Sequence, residues 1–180
     1  IAVISLGGIV MSKSIKLAGD KLNQDIMTYM RDEFKMLIGE KTAENVKIAI
    51  GSVTEGENLE AEVRGRDLVT GLPRQVIVTS ADLREAMSVS ISHLIDSIKE
   101  VLEKTPPEIL SDVMRGGIIL VGGGALIKGF DALLESVLKI PVIVADDPLT
   151  AVARGTGMVL EDLAFYQDVL IPAHDELPPQ

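Results

Sequence analysis

Cysteine is absent from the 180 residues and aromatic side chains make up only 3%. The first absence excludes a disulfide framework, a thiol nucleophile and any thiolate metal site, and it is compatible with a reducing cytoplasm. Basic charge is also in deficit. Seventeen Lys and Arg stand against 27 Asp and Glu, a net charge of −10. Such a surface repels phosphate backbones, and with no basic stripe carrying interleaved aromatics it argues against nucleic acid as a direct partner. A long apolar run is missing as well. Residues 116–127 come nearest, but glycines interrupt them, and they fall short of the roughly 20 residues a spanning helix needs. No signal peptide is visible, so a soluble chain is expected.

What is present is a hydrophobic content of 47% over 180 residues, enough for one substantial core or two small ones. The chain opens on Ile1 inside a strand-like run, which leads us to expect an upstream portion. Residues 172–180 hold Pro172, Pro178 and Pro179 with no apolar period, the pattern of a loose tail.

Residues 1–5 and 9–17 flank Gly7-Gly8, which reads as a hairpin turned on the glycine pair. Asp20 is placed to cap a helix whose apolar positions Leu22, Ile26, Tyr29, Met30, Phe34 and Leu37 run to a stop at Gly39. A shorter helix is expected from Thr42 to Gly51, with Glu44 and Lys47 on its polar face. Residues 57–66 and 73–79 suggest a second hairpin around a turn at 67–71. Ser80 then caps the long helix marked by Leu83, Met87, Ile91, Leu94, Ile98 and Val101. Thr105 and Glu108 have capping-box spacing, with Pro107 opening a short helix to about Met114. Ile118 to Val121 form a continuous apolar run, as in a strand covered on both faces. A helix from about Phe130 to Leu138 and a strand from Val142 to Ala145 complete a βαβ-like unit, and a last helix is expected from Thr150 to Tyr166.

Gly122, Gly123, Gly124 and Ala125 follow that buried strand. Glycines there let a ligand approach the backbone, and free amides beside them suit a nucleotide. A strand-to-helix turn also uses glycine for packing alone. The run is neither a Walker loop, since no Gly-Lys-Ser or Gly-Lys-Thr follows, nor a dinucleotide fingerprint. Lys128 is displaced from the position a Walker lysine would hold. Glu44 and Lys47, three apart on one helix, can face a cleft in which the carboxylate accepts from ribose hydroxyls and the lysine stem covers a base. An isolated pair of this kind is otherwise a solvated surface pair. Asp146 and Asp147 offer carboxylates for a metal, but an acid before Pro148 is a common turn and helix-entry residue. Arg154 reads as a packing or salt-bridge residue. His93 and His174 are too far apart in kind to form a triad or metal site.

Three further segments carry a resemblance. Leu-Ala-Gly-Asp at 17–20, Ile-Gly-Glu-Lys-Thr-Ala-Glu-Asn-Val-Lys at 38–47 and Glu-Val-Arg-Gly-Arg-Asp-Leu at 62–68 closely resemble the MreB family of bacterial actin-like rod-shape proteins. Pro-Pro-Glu at 106–108, Val-Gly-Gly-Gly-Ala-Leu at 121–126 and Asp-Pro-Leu-Thr-Ala-Val-Ala-Arg-Gly at 147–155 look like that family's carboxy-terminal signature. The collinear match spans about residues 1–163.

The resemblance implies an α/β fold of the actin-like ATPase, ribonuclease-H-like type: a mixed sheet flanked by helices, with a small inserted subdomain. Residues 1–147 would be domain II, its larger subdomain 1–19 plus 80–147 and its inserted smaller subdomain 20–79. Residues 148–180 would form a helix and loose tail packing on domain I. Glu44, Asn45, Val46 and Lys47, with Gly122, Gly123, Gly124 and Ala125, would contact the adenosine part of ATP. The two phosphate loops and the magnesium-associated acid would lie outside residues 1–180, so this chain alone is expected to bind nucleotide weakly or not at all and to have no catalytic residue. The whole protein would bind ATP with Mg, self-associate into filaments and lie peripheral to the inner face of the cell membrane. There it would meet a RodZ-type membrane adaptor and the cell-wall elongation machinery, and determine rod shape by guiding wall synthesis. Half of a sugar or acetate kinase is the second reading, for which substrate acid and base residues are not found. A chaperone ATPase half and a nucleotide-free interaction module rank below it.

Overall fold

The computed structural model describes residues 1–56, 58–167 and 170. The expected loose tail and His174 lie outside them. Strands β1 (Ala2–Ser5) and β2 (Gly8–Ser12) pair antiparallel, Ser5 opposite Gly8. The two-residue loop is therefore Leu6-Gly7, both at positive φ (51° and 80°), and not Gly7-Gly8. This is the geometry that matches the natural strand twist. The second strand ends at Ser12, well before Leu17.

Helix α1 (Gly19–Asp32) is capped at Ala18 with no side-chain bond, so Asp20 sits inside its first turn, where its charge favours the amino end. The helix also stops seven residues before Gly39. Lys35 turns left-handed at φ 51°, and Met36–Leu37 become β3, pairing with Asp67 and Arg66 of β4 (Glu60–Asp67). A non-local ladder overrides a helical period that Phe34 and Leu37 would have continued. Helix α2 (Glu40–Ile50) then buries Ala43, Val46 and Ile50, while Ile48 is left exposed.

β4 pairs antiparallel with β5 (Pro73–Thr79), giving a three-stranded sheet in the order β3-β4-β5. Helix α3 (Ser80–Glu103) is capped by Thr79 and not by Ser80. Thr79 Oγ1 accepts from the Asp82 amide at 3.2 Å and Asp82 Oδ2 accepts from the Thr79 amide at 2.7 Å, a complete capping box. Ser80 is instead fully buried, its hydroxyl accepting from the Leu59 amide at 3.3 Å. Fully buried Ile26, Met30, Met36, Leu83 and Met87 join α1, the sheet and α3 in one core.

Helix α4 (Pro107–Gly116) has proline at its first position, as expected. No capping box forms there: the Thr105 hydroxyl donates back to the Val101 carbonyl at 2.7 Å. Strand β6 (Ile118–Leu120), helix α5 (Phe130–Leu138) and strand β7 (Val142–Val144) make the βαβ unit, the strands parallel with Ile119 opposite Ile143. Ile118, Leu120 and Val142 pack against the core. Their neighbours do not: Ile119 is 65% and Ile143 54% exposed, so this pair is covered on one face and not on two. Helix α6 (Ala151–Glu161) ends before Tyr166 and buries none of its residues.

Candidate functional site

Between β6 and α5 the glycine run winds into a 3-10 turn, Gly123–Leu126, entered through Gly122 at φ 82°. Gly122 donates to the Pro148 carbonyl at 2.7 Å, which fixes the entry, and the Ala125 amide closes the turn on the Gly122 carbonyl at 3.2 Å. The Gly123 and Gly124 amides precede that first bond, so the turn leaves them without an acceptor. A side-chain carbon added at Gly122 or Gly124 would meet nothing within 4 Å. Packing therefore does not require glycine at 124, whereas close approach of a ligand would. Ala125 is buried and anchors the turn.

The second candidate segment lies on α2, and its four residues do not share a face. Val46 is 5% exposed and belongs to the core. Asn45 lines an open groove with Thr42, Ala49 and the β4 residues Ala61 to Arg64. Glu44 is exposed, and its charge acts on Lys47. Lys47 Nζ donates to Asn23 Oδ1 at 2.7 Å and to the Gly19 carbonyl at 3.1 Å. Burial lowers the pKa of this ammonium, against the charges of Glu44 and Asp20, which raise it. With its head held by α1, Lys47 has only its aliphatic stem to offer a flat ring. Asn23, 3% exposed, is the residue that sequence reasoning missed. Its position was a signal: it falls with Ile26 and Met30 on the buried stripe of α1, where a polar side chain needs a partner.

The two segments are tied together just beyond their ends. Ser52 and Lys128 form an isolated parallel bridge, and the Val53 amide donates to the Lys128 carbonyl at 3.0 Å. The other candidates take structural roles. Asp147, at φ 48°, accepts from Thr150 through both side chain and carbonyl at the start of α6. Arg154 Nη2 donates to the Asp146 carbonyl at 2.6 Å. His93 is exposed on α3. No group of acids or histidines among the described residues is arranged to hold a metal ion. Nor is any helix among them long and apolar enough to cross a membrane.

This architecture is that of an actin-like protein. The AMPPNP-bound structure of MreB 5 of Spiroplasma citri matches with a TM-score of 0.88 at 38% identity, over 93% of this chain and 51% of that one. An ADP-bound structure of the same protein gives 0.87. The MamK double helical filament shares the fold with a TM-score of 0.69 at 22% identity.

The family described as MreB/Mbl protein matches residues 1–168, and the chain belongs to it. Cell shape-determining protein Mbl of Bacillus subtilis is 48% identical over 164 residues, covering 91% of this chain and 49% of that protein. Cell shape-determining protein MreB of Escherichia coli K12 is 44% identical over 167 residues, 92% of this chain and 48% of its own length. The chain thus spans about half the length of these relatives.

Proposed function

We propose that the chain supplies the adenosine side of the nucleotide cleft in an actin-like protein that forms filaments and determines cell shape. The observation that carries this reading is the open space over Gly122 and Gly124, beside two amides the turn does not use. The second wall is the Glu44–Lys47 stretch, where Glu44 would take ribose hydroxyls and the Lys47 stem would line the base. Asn45 and Val46 complete this stretch of α2, Asn45 on the groove beside β4 and Val46 in the core, so the direct contacts fall to Glu44 and Lys47. The relatives bound to ADP and AMPPNP support a nucleotide as the ligand.

In the whole protein the ligand is ATP with Mg. Bound ATP supplies a γ-phosphate whose hydrolysis needs the metal and a positioned water. The phosphate loops lie outside this chain, which holds and orients the nucleoside and does not hydrolyse ATP alone. Residues 1–147 act as domain II, with 20–79 as the inserted smaller subdomain, and α6 packs on domain I. Self-association into filaments is supported by the filament of the fold relative MamK. The filaments work at the inner face of the membrane, where a RodZ-type adaptor docks on the larger subdomain and the wall-elongation machinery is guided.

Titration calorimetry of the 180-residue chain with ATP tests the split site. The expected result is no binding at micromolar concentrations. Micromolar affinity would contradict the assignment of the phosphate side to other segments. A pull-down tests the adaptor: a RodZ cytoplasmic domain retained by full-length protein but not by this chain would remove that part of the proposal.

A further inference from the structure

The link between the two candidate walls is built with more care than a connecting loop needs. Ser52 is 3% exposed. Its hydroxyl donates to the Thr54 carbonyl at 3.0 Å and accepts from the Thr54 amide at 3.3 Å, closing a tight turn directly after α2. That turn presents the Val53 amide to the Lys128 carbonyl at 3.0 Å. On the other side, Gly129 caps α5 in the left-handed region at φ 73°. A side-chain carbon on Gly129 would overlap Oγ1 and Cγ2 of Thr54 and lie 2.9 Å from its Cβ. Both left-handed backbone and close approach thus require glycine. The path is short at each end: the Gly51 amide bonds the Lys47 carbonyl at 2.8 Å, and the Ile127 amide bonds the Gly124 carbonyl at 3.2 Å. A displacement of Ser52 against Lys128 therefore moves Lys47 against the glycine turn.

We propose that residues 52–54 and 128–129 form a positioning stitch that sets the spacing of the two adenosine walls, with Gly129 its most sensitive residue. This rests on the nucleotide reading for its purpose, but not for its mechanics. Gly129 and Ser52 touch no ligand in this scheme and act through the walls they hold.

The test combines hydrogen exchange and AMP titration on the wild-type chain and on Gly129→Ala. Exchange in Gly129→Ala should quicken about tenfold not only at 52–54 but in peptides covering 44–51 and 122–127, with the α3 core unchanged. Adding Thr54→Gly, which removes the colliding atoms, should restore much of the protection. Quickening confined to 52–54 and 128–130 would overturn the proposal, because the walls would then be held independently. AMP should bind Gly129→Ala about tenfold more weakly than wild type, and equal affinity would likewise overturn it. Should Gly129→Ala fail to fold, Ser52→Ala is judged by the same two criteria. If the wild-type chain shows no AMP response at either wall, the nucleotide reading fails, and the exchange result alone decides whether the stitch couples the walls.

Discussion

The stretch from α1 to α3 and the stretch from β6 to α6 are both rich in aliphatic residues, yet they use them differently. In the first, Ile26, Met30, Met36, Val63, Val78, Leu83 and Met87 are all at or below 1% exposure. In the second, Ile119, Val121, Ile143, Val152, Met158 and Leu160 are all more than half exposed. Free energy follows burial and not composition, at roughly 1.5–3 kcal/mol for each large aliphatic side chain fully removed from water. Most of the fully buried aliphatic side chains, and with them most of this stabilisation, lie in the first stretch, although Phe130 and Leu134 of α5 join the same core. The second displays apolar surface at the glycine turn, where Val121 and Leu126 are each more than half exposed.

Substitutions can break this contrast. The largest effect is expected from Leu83→Ala, which should cost about 3 kcal/mol in urea unfolding because the site is closed on all sides. Asn23→Leu should cost about 1 kcal/mol, since the half-buried Lys47 ammonium loses its side-chain acceptor. Thr79→Ala removes one half of the α3 capping box and should also cost about 1 kcal/mol. In the second stretch, Ile119→Ser combined with Ile143→Ser should change stability by less than about 0.5 kcal/mol while raising solubility. A cost above 2 kcal/mol for that pair would show that the face is buried in solution, and the contrast would fail.

A fifth expectation concerns pH. Glu100 is hydrogen-bonded by Lys104 and by Lys13, which ties the segment just after β2 to α3, and its carboxyl pKa is lowered to about 2 from an ordinary 4.5. A group whose folded pKa is depressed contributes above the unfolded value, and the contribution disappears as pH falls from about 4.5 towards 2. In Glu100→Gln the fall in melting temperature across that window should be shallower. The difference should be small, because the site is solvated and screened.

Much of this was legible in the sequence where pattern and local chemistry agree. The long apolar period of α3, the β-branched run of β5, the proline entry of α4 and the strand, glycine turn and helix after Ile118 all fold as their residues indicate. Failures fell where a distant partner decides. The ladder from β4 takes Met36 and Leu37 out of a helical period they would fit, and the distant Leu59 amide takes the buried Ser80 hydroxyl, while the cap of α3 falls to Thr79. Coverage of β6 was unreadable, since Ile119 carries no mark of which neighbour, if any, lies against it. At the site, the glycines and the Glu44–Lys47 pair were visible as residue types. That Lys47 is held by Asn23, and that Gly129 lies tightly against Thr54, depends on contacts between segments far apart in the chain.

The proposed cleft has residues 44–47 and 122–125 as its two adenosine walls. An amide-resolved NMR titration of the 180-residue chain with AMP, run beside one with tripolyphosphate, tests it most directly. Millimolar AMP should shift the amides of Glu44, Lys47, Gly123 and Gly124 together along one binding curve, and tripolyphosphate should leave them unmoved. AMP shifts absent from these residues, or matched by tripolyphosphate, would contradict it.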